Sequence, residues 1–482
     1  MHIEFLVLSL IQVSAALQFP VQFLSVYKSM APNPSPTRLD PEAYPEAPPG
    51  LALEQVHVYI RHGERTPVGV RMNRPPASIP EYWPMCFAGR KFSAPVWEPS
   101  TILNEAYSAA TVDLNRVVEL RNGSATPGVC MLGELTDIGR TSTHEYGKAL
   151  RRLYIERLRF LPDSYQGISP VYYRSTNVPR TIESLQQVIN GLYPDGKSPQ
   201  RPYLLIRNAK DENIIPNHFS CKRLERMAVS FSQAAAEKLN PTLKPLDKRI
   251  SRYIDGEPVR IDGKPRASGI LDTIRAAKAH GIRVPKDFND PEVMDLIEYA
   301  VVQEWFGLGY KNHEYRKLAM GPLLSDLQSK MQKKVDEGEK DPLKLLVYST
   351  HDTALAGIVS ALDVFDHRWP EFTASVTFEL FKKTPEVIQQ STFLGLNFKW
   401  TDLVPSSVGI RGTADVPSPS DYFVRMRYQN NSMTIPHCAK SGNHLGGSPE
   451  FCTLKAFQEH IKALTPDDWD AECVPPQPNP TL

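Results

Sequence analysis

Three closely spaced basic side chains stand in residues 56–68, which read VHVYIRHGERTPV. Arg61 and Arg65 lie on either side of His62. Guanidinium groups present paired donors that match phosphate oxygens, and an imidazole beside them can act as a nucleophile. Gly63 allows the close backbone approach that a bound ligand needs. The stretch therefore predicts an anion site with a nucleophile inside it; a surface turn whose arginines are only solvated is the alternative.

Two further apolar runs end in polar side chains that can act on an anion. A short strand that contains Val171 ends at Arg174, and a buried apolar strand that starts at Leu345 ends at His351 and Asp352. Parallel strands of an open α/β sheet bind ligands at the rim formed by their carboxyl ends. We therefore expect these three polar side chains to share one site with the first stretch, and Arg174 is predicted as the third phosphate ligand.

The strands and helices that must position these residues follow the pattern of an α/β fold. A scaffold helix is expected after Thr136, a residue type that caps helix N-termini. The proline-rich text from Pro67 to Pro127 is expected to contain one helix, around 111–120. Runs of β-branched and aromatic residues predict strands at 54–60, 171–173, 203–206, 345–350, 375–381 and 422–428.

A mostly helical block, residues 211–316, lies between the predicted strands. Its periodicity predicts helices at 224–239, 270–279 and 291–306, and we interpret the block as a helical cap inserted into the α/β core. Ahead of the core, residues 31–50 are dense in proline and have no hydrophobic periodicity. We therefore predict a linker at 17–50, a folded domain at 51–475 and a tail at 476–482.

The overall composition limits the partners of the chain. With 482 residues, 41% hydrophobic and 23% charged, the protein can bury a sizeable core. A formal net charge of +1 provides no general attraction to nucleic acid or to an anionic membrane surface. Any preference for anions must therefore be local. The oligomeric state stays open.

The N-terminus carries a candidate targeting segment. Residues 5–17 form an apolar run too short to span a bilayer, with small residues near its end that a signal peptidase accepts after Ala16. We interpret residues 1–16 as a secretory signal peptide, although Glu4 and the lack of a basic residue before the run depart from the usual pattern. A mitochondrial address or a simple buried segment is the alternative.

The six cysteines form an even, widely spaced set without the C-x-x-C pair that would suggest a metal site. Cys438 and Cys452 bracket a glycine-rich loop and can pair, whereas buried free thiols are the alternative for the whole set. Sequons at Asn122 and Asn430 are candidate glycosylation sites and agree with an oxidising secretory route. The complete set is Cys86, Cys130, Cys221, Cys438, Cys452 and Cys473.

The Arg-His-Gly-x-Arg-x-Pro pattern at 61–67 matches the signature of the histidine acid phosphatases. The His351-Asp352 pair occurs where that family has its C-terminal motif, and the resemblance covers about 51–473. The stretch FDHRWP at 365–370 is particularly similar to the lysophosphatidic acid phosphatase branch, type 6 group, and the chain looks like a fungal-type member.

The resemblance implies a Rossmann-like mixed sheet flanked by helices, similar to the phosphoglycerate mutases, with the cap inserted. It also implies that His62 is the nucleophile and that Asp352 donates a proton to the leaving group. The phosphoryl oxygens are then expected to bind Arg61, Arg65 and Arg174.

Further roles follow from the same resemblance. His351 is expected to donate to the phosphoryl oxygens most effectively when charged, which, with a protonated Asp352, favours acid pH. Arg180 is expected to be structural. The resemblance also implies bridges between Cys221 and Cys473 and between Cys438 and Cys452, which leaves Cys86 and Cys130 for a third.

The expected reaction is hydrolysis of phosphate monoesters through a phosphohistidine, with no cofactor and no metal because the arginines supply the positive charge. Lysophosphatidic acid is a candidate substrate by analogy only. A phosphoglycerate-type mutase, a phytase and a phosphate-binding protein without catalysis are the alternatives.

Overall fold

The apolar runs of the sequence assemble into one mixed sheet. The computed structural model describes residues 39–96, 110–165, 170–384 and 421–476. Within these ranges the sheet has nine strands in the order β10-β11-β8-β7-β1-β6-β4-β5, and β9 pairs with β8. A separate hairpin consists of β2 and β3. The strands are β1 Leu51–Arg61, β2 Lys91–Val96, β3 Ala110–Asn115, β4 Val171–Ser175, β5 Leu204–Leu205, β6 Leu345–Thr350, β7 Ser375–Lys383, β8 Tyr422–Tyr428, β9 Asn431–Met433, β10 His444–Leu445 and β11 Ser448–Thr453.

Nine α-helices occur in the described part of the chain, on both faces of the sheet and beyond its rim. Two of them, α1 and α5, continue into wider π-helical turns at Arg151–Arg157 and Gln303–Gly307. The helices are α1 Asp137–Leu150, α2 Pro179–Leu192, α3 Lys222–Ile250, α4 Ala267–Ala279, α5 Pro291–Val302, α6 His313–Glu337, α7 Asp352–Ala361, α8 Leu454–Leu464 and α9 Trp469–Glu472.

The central strand β1 separates two hydrophobic layers. Val58 and Ile60 pack with residues of α1 and α2, whereas Tyr59 packs with residues of α6 and α7 on the opposite face. Successive side chains of a strand alternate between faces, so a strand covered by helices on both sides must be apolar throughout. The α/β architecture with a mixed, helix-flanked sheet is thus confirmed.

Parallel pairing brings three strand ends to one rim of the sheet. β1 pairs in parallel with β6, and β6 pairs in parallel with β4. In this register Arg61 lies opposite Thr350, and Ser349 lies opposite Ser175. The residues that follow these strands therefore emerge side by side, which is where an open α/β sheet binds ligands.

The segment ahead of β1 is part of the folded structure, contrary to the predicted linker. Leu39 and Tyr44 are buried, and the hydroxyl of Tyr44 accepts a hydrogen bond from Nη2 of Arg425 at 2.7 Å. These two residues were overlooked because a proline-rich segment can pack through isolated side chains without any periodicity. The folded region therefore begins by Leu39 and not at Leu51. The predicted signal peptide at 1–16 and the last six residues of the tail lie outside the described residues.

The helix expected around 111–120 is wrong. Residues Ala110–Asn115 form β3, which pairs antiparallel with β2. Thr111 and Val112 are β-branched types that favour strands. The local pattern alone does not show the partner strand β2, which lies in the same proline-rich text from Pro67 to Pro127.

All six cysteines form disulfide bonds. The bridges are Cys86–Cys130, Cys221–Cys473 and Cys438–Cys452, the pairings that the resemblance implied. Asn430, in contrast, is 9% exposed, and its Oδ1 accepts the backbone N–H of Asp40 at 2.8 Å. The folded chain therefore does not present Asn430 for glycosylation. Asn122 is exposed, and its glycosylation stays a prediction.

A fully buried cluster of charges fastens β7 to β8. Both carboxylate oxygens of Glu379 are bonded: Nε of Arg425 lies 2.9 Å from Oε2, and Nη2 of Arg427 lies 3.1 Å from Oε1. The hydroxyl of Tyr154 also donates to Oε1 at 3.0 Å. Burial raises the pKa of Glu379, but the two arginines outweigh it and lower the pKa to about 2. The carboxylate is therefore ionised throughout the mildly acidic range.

Replacing Glu379 by Gln should lower the free energy of unfolding by about 3 kcal/mol, because it leaves two buried guanidinium groups without a counter-charge. Because the folded pKa lies below the ordinary 4.5, the stabilisation by Glu379 is present above pH 4.5 and disappears as the pH falls toward 2. Denaturant unfolding of the two proteins at pH 6 and pH 3 measures both effects. A difference that does not shrink at pH 3 would contradict the electrostatic explanation.

Candidate active site

His62 follows β1 directly and is fixed in one tautomer. Its Nδ1 donates to the carbonyl oxygen of Gly63 at 2.9 Å, so Nε2 carries the lone pair. The side chain is almost completely buried, and burial, followed by Arg61 and Arg65, lowers its pKa well below 6.5. His62 is therefore a neutral imidazole that can act as a nucleophile even in acid.

The glycine after His62 is required by protein packing. A Cβ on Gly63 would lie 2.3 Å from the carbonyl oxygen of Gly139, in the first turn of α1. A Cβ on Gly139 would lie 2.1 Å from the carbonyl oxygen of Glu64. The two backbones touch, and the side-chain hydroxyl of Thr136 caps α1 as predicted. The close approach expected at Gly63 is thus to this helix.

Arg61 and Asp352 form an ion pair at the rim. Arg61 Nη2 lies 2.7 Å from Asp352 Oδ2, and Arg61 Nη1 donates to the carbonyl oxygen of Pro370 at 2.6 Å. The indole of Trp369 donates to the same Oδ2 at 3.1 Å. Burial alone would raise the pKa of Asp352, but Arg61 and Arg65 lower it below its ordinary value. The carboxyl group is therefore ionised when the site is empty.

Arg174 does not line the site, and this corrects its prediction as a phosphate ligand. Its guanidinium is 1% exposed, forms a salt bridge with Glu212, and donates from Nη1 to Oδ1 of Asn213 at 2.7 Å. Arg180, at the start of α2, lines the cavity instead, together with Arg65, His351 and Asp352. Its Nη2 lies 3.5 Å from His351 Nδ1. The basic residue at the site is thus Arg180, six positions farther along the chain.

His351 lies beside His62, with their rings 5.6 Å apart and nearly perpendicular. Its Nε2 is 3.0 Å from the hydroxyl of Thr176. Burial, followed by Arg180, lowers its pKa to about 3. Without a bound anion, His351 is therefore neutral at mildly acid pH, because it is buried beside Arg180. Its charging in the substrate complex stays a prediction.

Three arginines of the site each have a buried N–H group without a partner. The Nε atoms of Arg61, Arg65 and Arg180 are buried and make no hydrogen bond to any described residue. Buried donors of this kind are costly unless a ligand satisfies them. Arg61 and Arg65 line a cavity of about 370 Å³, and Arg65 and Arg180 line an adjoining cavity of about 470 Å³, with Asp352 shared by both. This grouping of open donors fits an oxyanion as ligand.

Two side chains at the site were missed from the sequence. Trp369 stands in the sequence only as part of the stretch FDHRWP, yet its indole donates a hydrogen bond to Asp352. Asp272 on α4 lies 2.8 Å from Arg65, and no motif marks it. Only the tertiary placement of α4 reveals it.

Comparison with known proteins agrees with this geometry. The sequence profile of the histidine phosphatase superfamily (branch 2) matches residues 52–428. A probable acid phosphatase from Schizosaccharomyces pombe is 35% identical over 456 residues, which cover 90% of this chain and 97% of that protein. The lysophosphatidic acid phosphatase type 6 of Bos taurus is 26% identical over 78% of this chain and 82% of its own length.

Solved structures show the same fold at low identity. The apo form of Hafnia alvei phytase superimposes with a TM-score of 0.54 at 14% identity, over 89% of this chain and all of that chain. The profile match and the fungal relative each extend over most of the described chain. The protein therefore belongs to branch 2 of the histidine phosphatase superfamily.

Proposed function

We propose that the protein is an acid phosphatase that hydrolyses phosphate monoesters through a phosphohistidine. The observation that carries the proposal is a neutral His62 beside three arginines with unsatisfied buried donors. Nε2 of His62 attacks phosphorus, an N–P bond forms, and the ester P–O bond breaks. Arg61, Arg65 and Arg180 hold the phosphoryl oxygens as charge redistributes in the transition state.

Asp352 acts as general acid in the first step and as general base in the second. When phosphate binds, Arg61 turns its donors to the new anion, and the added negative charge raises the pKa of Asp352. The protonated carboxyl then gives its proton to the leaving alkoxide. In the second step Asp352 takes a proton from water, which attacks the phosphohistidine, breaks the N–P bond and releases inorganic phosphate.

Activity should rise as the pH falls from about 7 to about 5, because the phosphate monoester, whose second pKa is about 6, then brings the proton that Asp352 needs. His62 does not oppose this rise, since its lowered pKa keeps it neutral across that range. The measurement is kcat/KM against pH for the wild type and for His351→Asn. With a His351 pKa of about 3, the variant should keep the same midpoint. A lost or shifted midpoint would show that His351 titrates after all.

The proposed substrate is a monophosphate with an apolar body, such as lysophosphatidic acid. A third cavity of about 990 Å³ adjoins the site and shares Trp305 and Tyr315 with it. Its walls include Val229 and Phe231 of α3, and Val229 and Trp305 remain 53% and 43% exposed. Such a surface suits one acyl chain. The 26% identical bovine relative is named for that substrate.

The proposal is tested by phosphate release at about pH 5, within the acid range argued above. The substrates are p-nitrophenyl phosphate, a lysophosphatidic acid and phytate, assayed in EDTA. We expect metal-independent release, fastest from the lysophospholipid. Preference for phytate would favour the phytase alternative, and release from none of the three would favour a phosphate-binding protein.

We further propose that the protein is secreted or resides in the secretory lumen. Three disulfide bridges support an oxidising compartment, since such bonds are rare where thiols are kept reduced. Among the described helices, none has the length and apolarity needed to cross a bilayer. Sequencing the N-terminus of the mature protein tests the cleavage after Ala16, and a mitochondrial location is the competing result.

A further inference from the structure

A carboxylate from the cap reaches into the phosphate site. Asp272 lies on α4, not on the sheet rim, and its Oδ1 is 2.8 Å from Nη1 of Arg65. We propose that Asp272 is a specificity-determining residue that restricts the site to substrates with a single phosphate group. This inference rests on the proposed phosphatase function and adds the way in which that site chooses its substrate.

The position of Asp272 is firmly fixed. Its other oxygen, Oδ2, accepts the backbone N–H of Val68 at 3.0 Å, and its side chain is 15% exposed. Arg71 lies 3.7 Å from the same oxygen and packs against α4, where a Cβ on Gly269 would be 2.4 Å from Arg71 Nε. Moving the carboxylate away would therefore break its contacts to Arg65, Val68 and Arg71, all in the segment that follows β1.

Asp272 also decides which donors of Arg65 remain for substrate. Nη1 is engaged by Asp272 and by the carbonyl oxygen of Thr66 at 3.0 Å, whereas Nε is buried without a partner. One phosphoryl group can accept a hydrogen bond from this Nε, on the side of the guanidinium away from Asp272. A second phosphate on the Nη1 side would lie next to the Asp272 carboxylate. Two neighbouring anions repel strongly in a partly buried site.

The remaining charges of the two site cavities lead to the same result. Arg275 lies 2.8 Å from Glu298 and 3.6 Å from Glu371, so its charge is already compensated. Among the described residues of these cavities, Arg180 and Lys278 have no carboxylate within ion-pair distance. The cations that line the two cavities are Arg61, Arg65, Arg71, Arg180, Arg275 and Lys278, and the carboxylates are Asp272, Glu298, Asp352 and Glu371. The excess of two positive charges matches one phosphate dianion, whereas a polyphosphorylated substrate needs much more.

The test compares matched sugar phosphates. We expect Asp272→Asn to raise the ratio of kcat/KM for glucose 1,6-bisphosphate to that for glucose 6-phosphate by about ten-fold or more, the effect of removing one partly screened repulsion. The change should be in KM for the bisphosphate, with kcat for p-nitrophenyl phosphate altered much less. Asn keeps an oxygen that can accept the N–H of Val68, which favours folding, and Asp272→Ser provides a second variant without charge.

The control is Asp255→Asn, which removes the same charge from an exposed residue whose side chain is 73% accessible and 3.8 Å from Arg74. Its ratio should equal that of the wild type. Equal losses for both sugar phosphates in the Asp272 variants would show that Asp272 only latches the cap, and would overturn the inference. A wild type inactive on every monophosphate would instead refute the proposed function.

Discussion

Replacing His62 by Ala should abolish phosphate release, with kcat reduced by about 10⁴-fold or more. The effect is large because the imidazole of His62 forms the covalent bond to phosphorus. No other described side chain of the site is placed to replace it as the nucleophile. His351, the nearest imidazole, has its Nε2 engaged with Thr176. The measurement is steady-state release from p-nitrophenyl phosphate together with the search for a ³²P-labelled, acid-labile intermediate in the wild type.

The matched control is His313→Ala, which removes an exposed histidine at the start of α6. It should retain wild-type kcat and the wild-type unfolding temperature. His62→Ala should unfold at a lower temperature because it leaves a cavity, but its folded form should still bind inorganic phosphate, because Arg61, Arg65 and Arg180 remain. A variant that hydrolyses substrate at more than a few per cent of the wild-type rate would remove His62 from the role of nucleophile.

The sequence alone predicts which residues lie at the rim of the sheet, where the site is. His62 and Asp352 each follow a buried apolar strand, and the carboxyl ends of parallel strands meet because hydrogen-bond pairing places them side by side. An apolar run followed by polar residues is a local signal, so the strands and their ends were predictable. The disulfide pairings depended on resemblance, since spacing alone allows several.

The cap and the N-terminal segment show where such reasoning stops. Helix α3 was expected to end near Leu239, yet it continues through Pro241 and Pro245 to Ile250. Leu246 and Ile250 are buried there, and this packing outweighs the loss of helical hydrogen bonds at the prolines. Tertiary contacts of this kind, like that of Asp272 with Arg65, leave no periodic pattern in the sequence, so they could not be predicted from it.

The choice between Arg174 and Arg180 was wrong for a related reason. Arg174 is the last residue but one of β4, and a cation near a strand end is a reasonable anion ligand. Strand side chains alternate, however, and the face on which Arg174 emerges has Glu212 and Asn213 as its neighbours. Arg180 is the second residue of α2, and its Nη2 lies 3.5 Å from His351 Nδ1. The face of the sheet on which the Arg174 side chain emerges depends on the exact position of the residue in the strand. A predicted strand as short as 171–173 does not determine that position.

Two variants distinguish the role of Arg180 in catalysis from the role of Arg174 in stability. Arg180→Ala should lower kcat/KM by about 10³-fold, as expected when one charged donor to the transferring phosphoryl group is removed. Its unfolding temperature should stay near that of the wild type. Arg174→Ala should instead lower the free energy of unfolding by about 3–5 kcal/mol, because it leaves Glu212 buried without its partner.

The two readouts are independent, so each residue serves as the control for the other. Isothermal titration with inorganic phosphate should show weaker binding in Arg180→Ala, whereas the folded fraction of Arg174→Ala should bind almost normally. An uncharged side chain at position 174 should not restore the stability, because Glu212 stays buried without its partner. The double variant Arg174→Met, Glu212→Leu should restore it, because it removes both buried charges. If that double variant is stable yet fails to bind phosphate, Arg174 belongs to the phosphate site and its assignment to the core must be reversed.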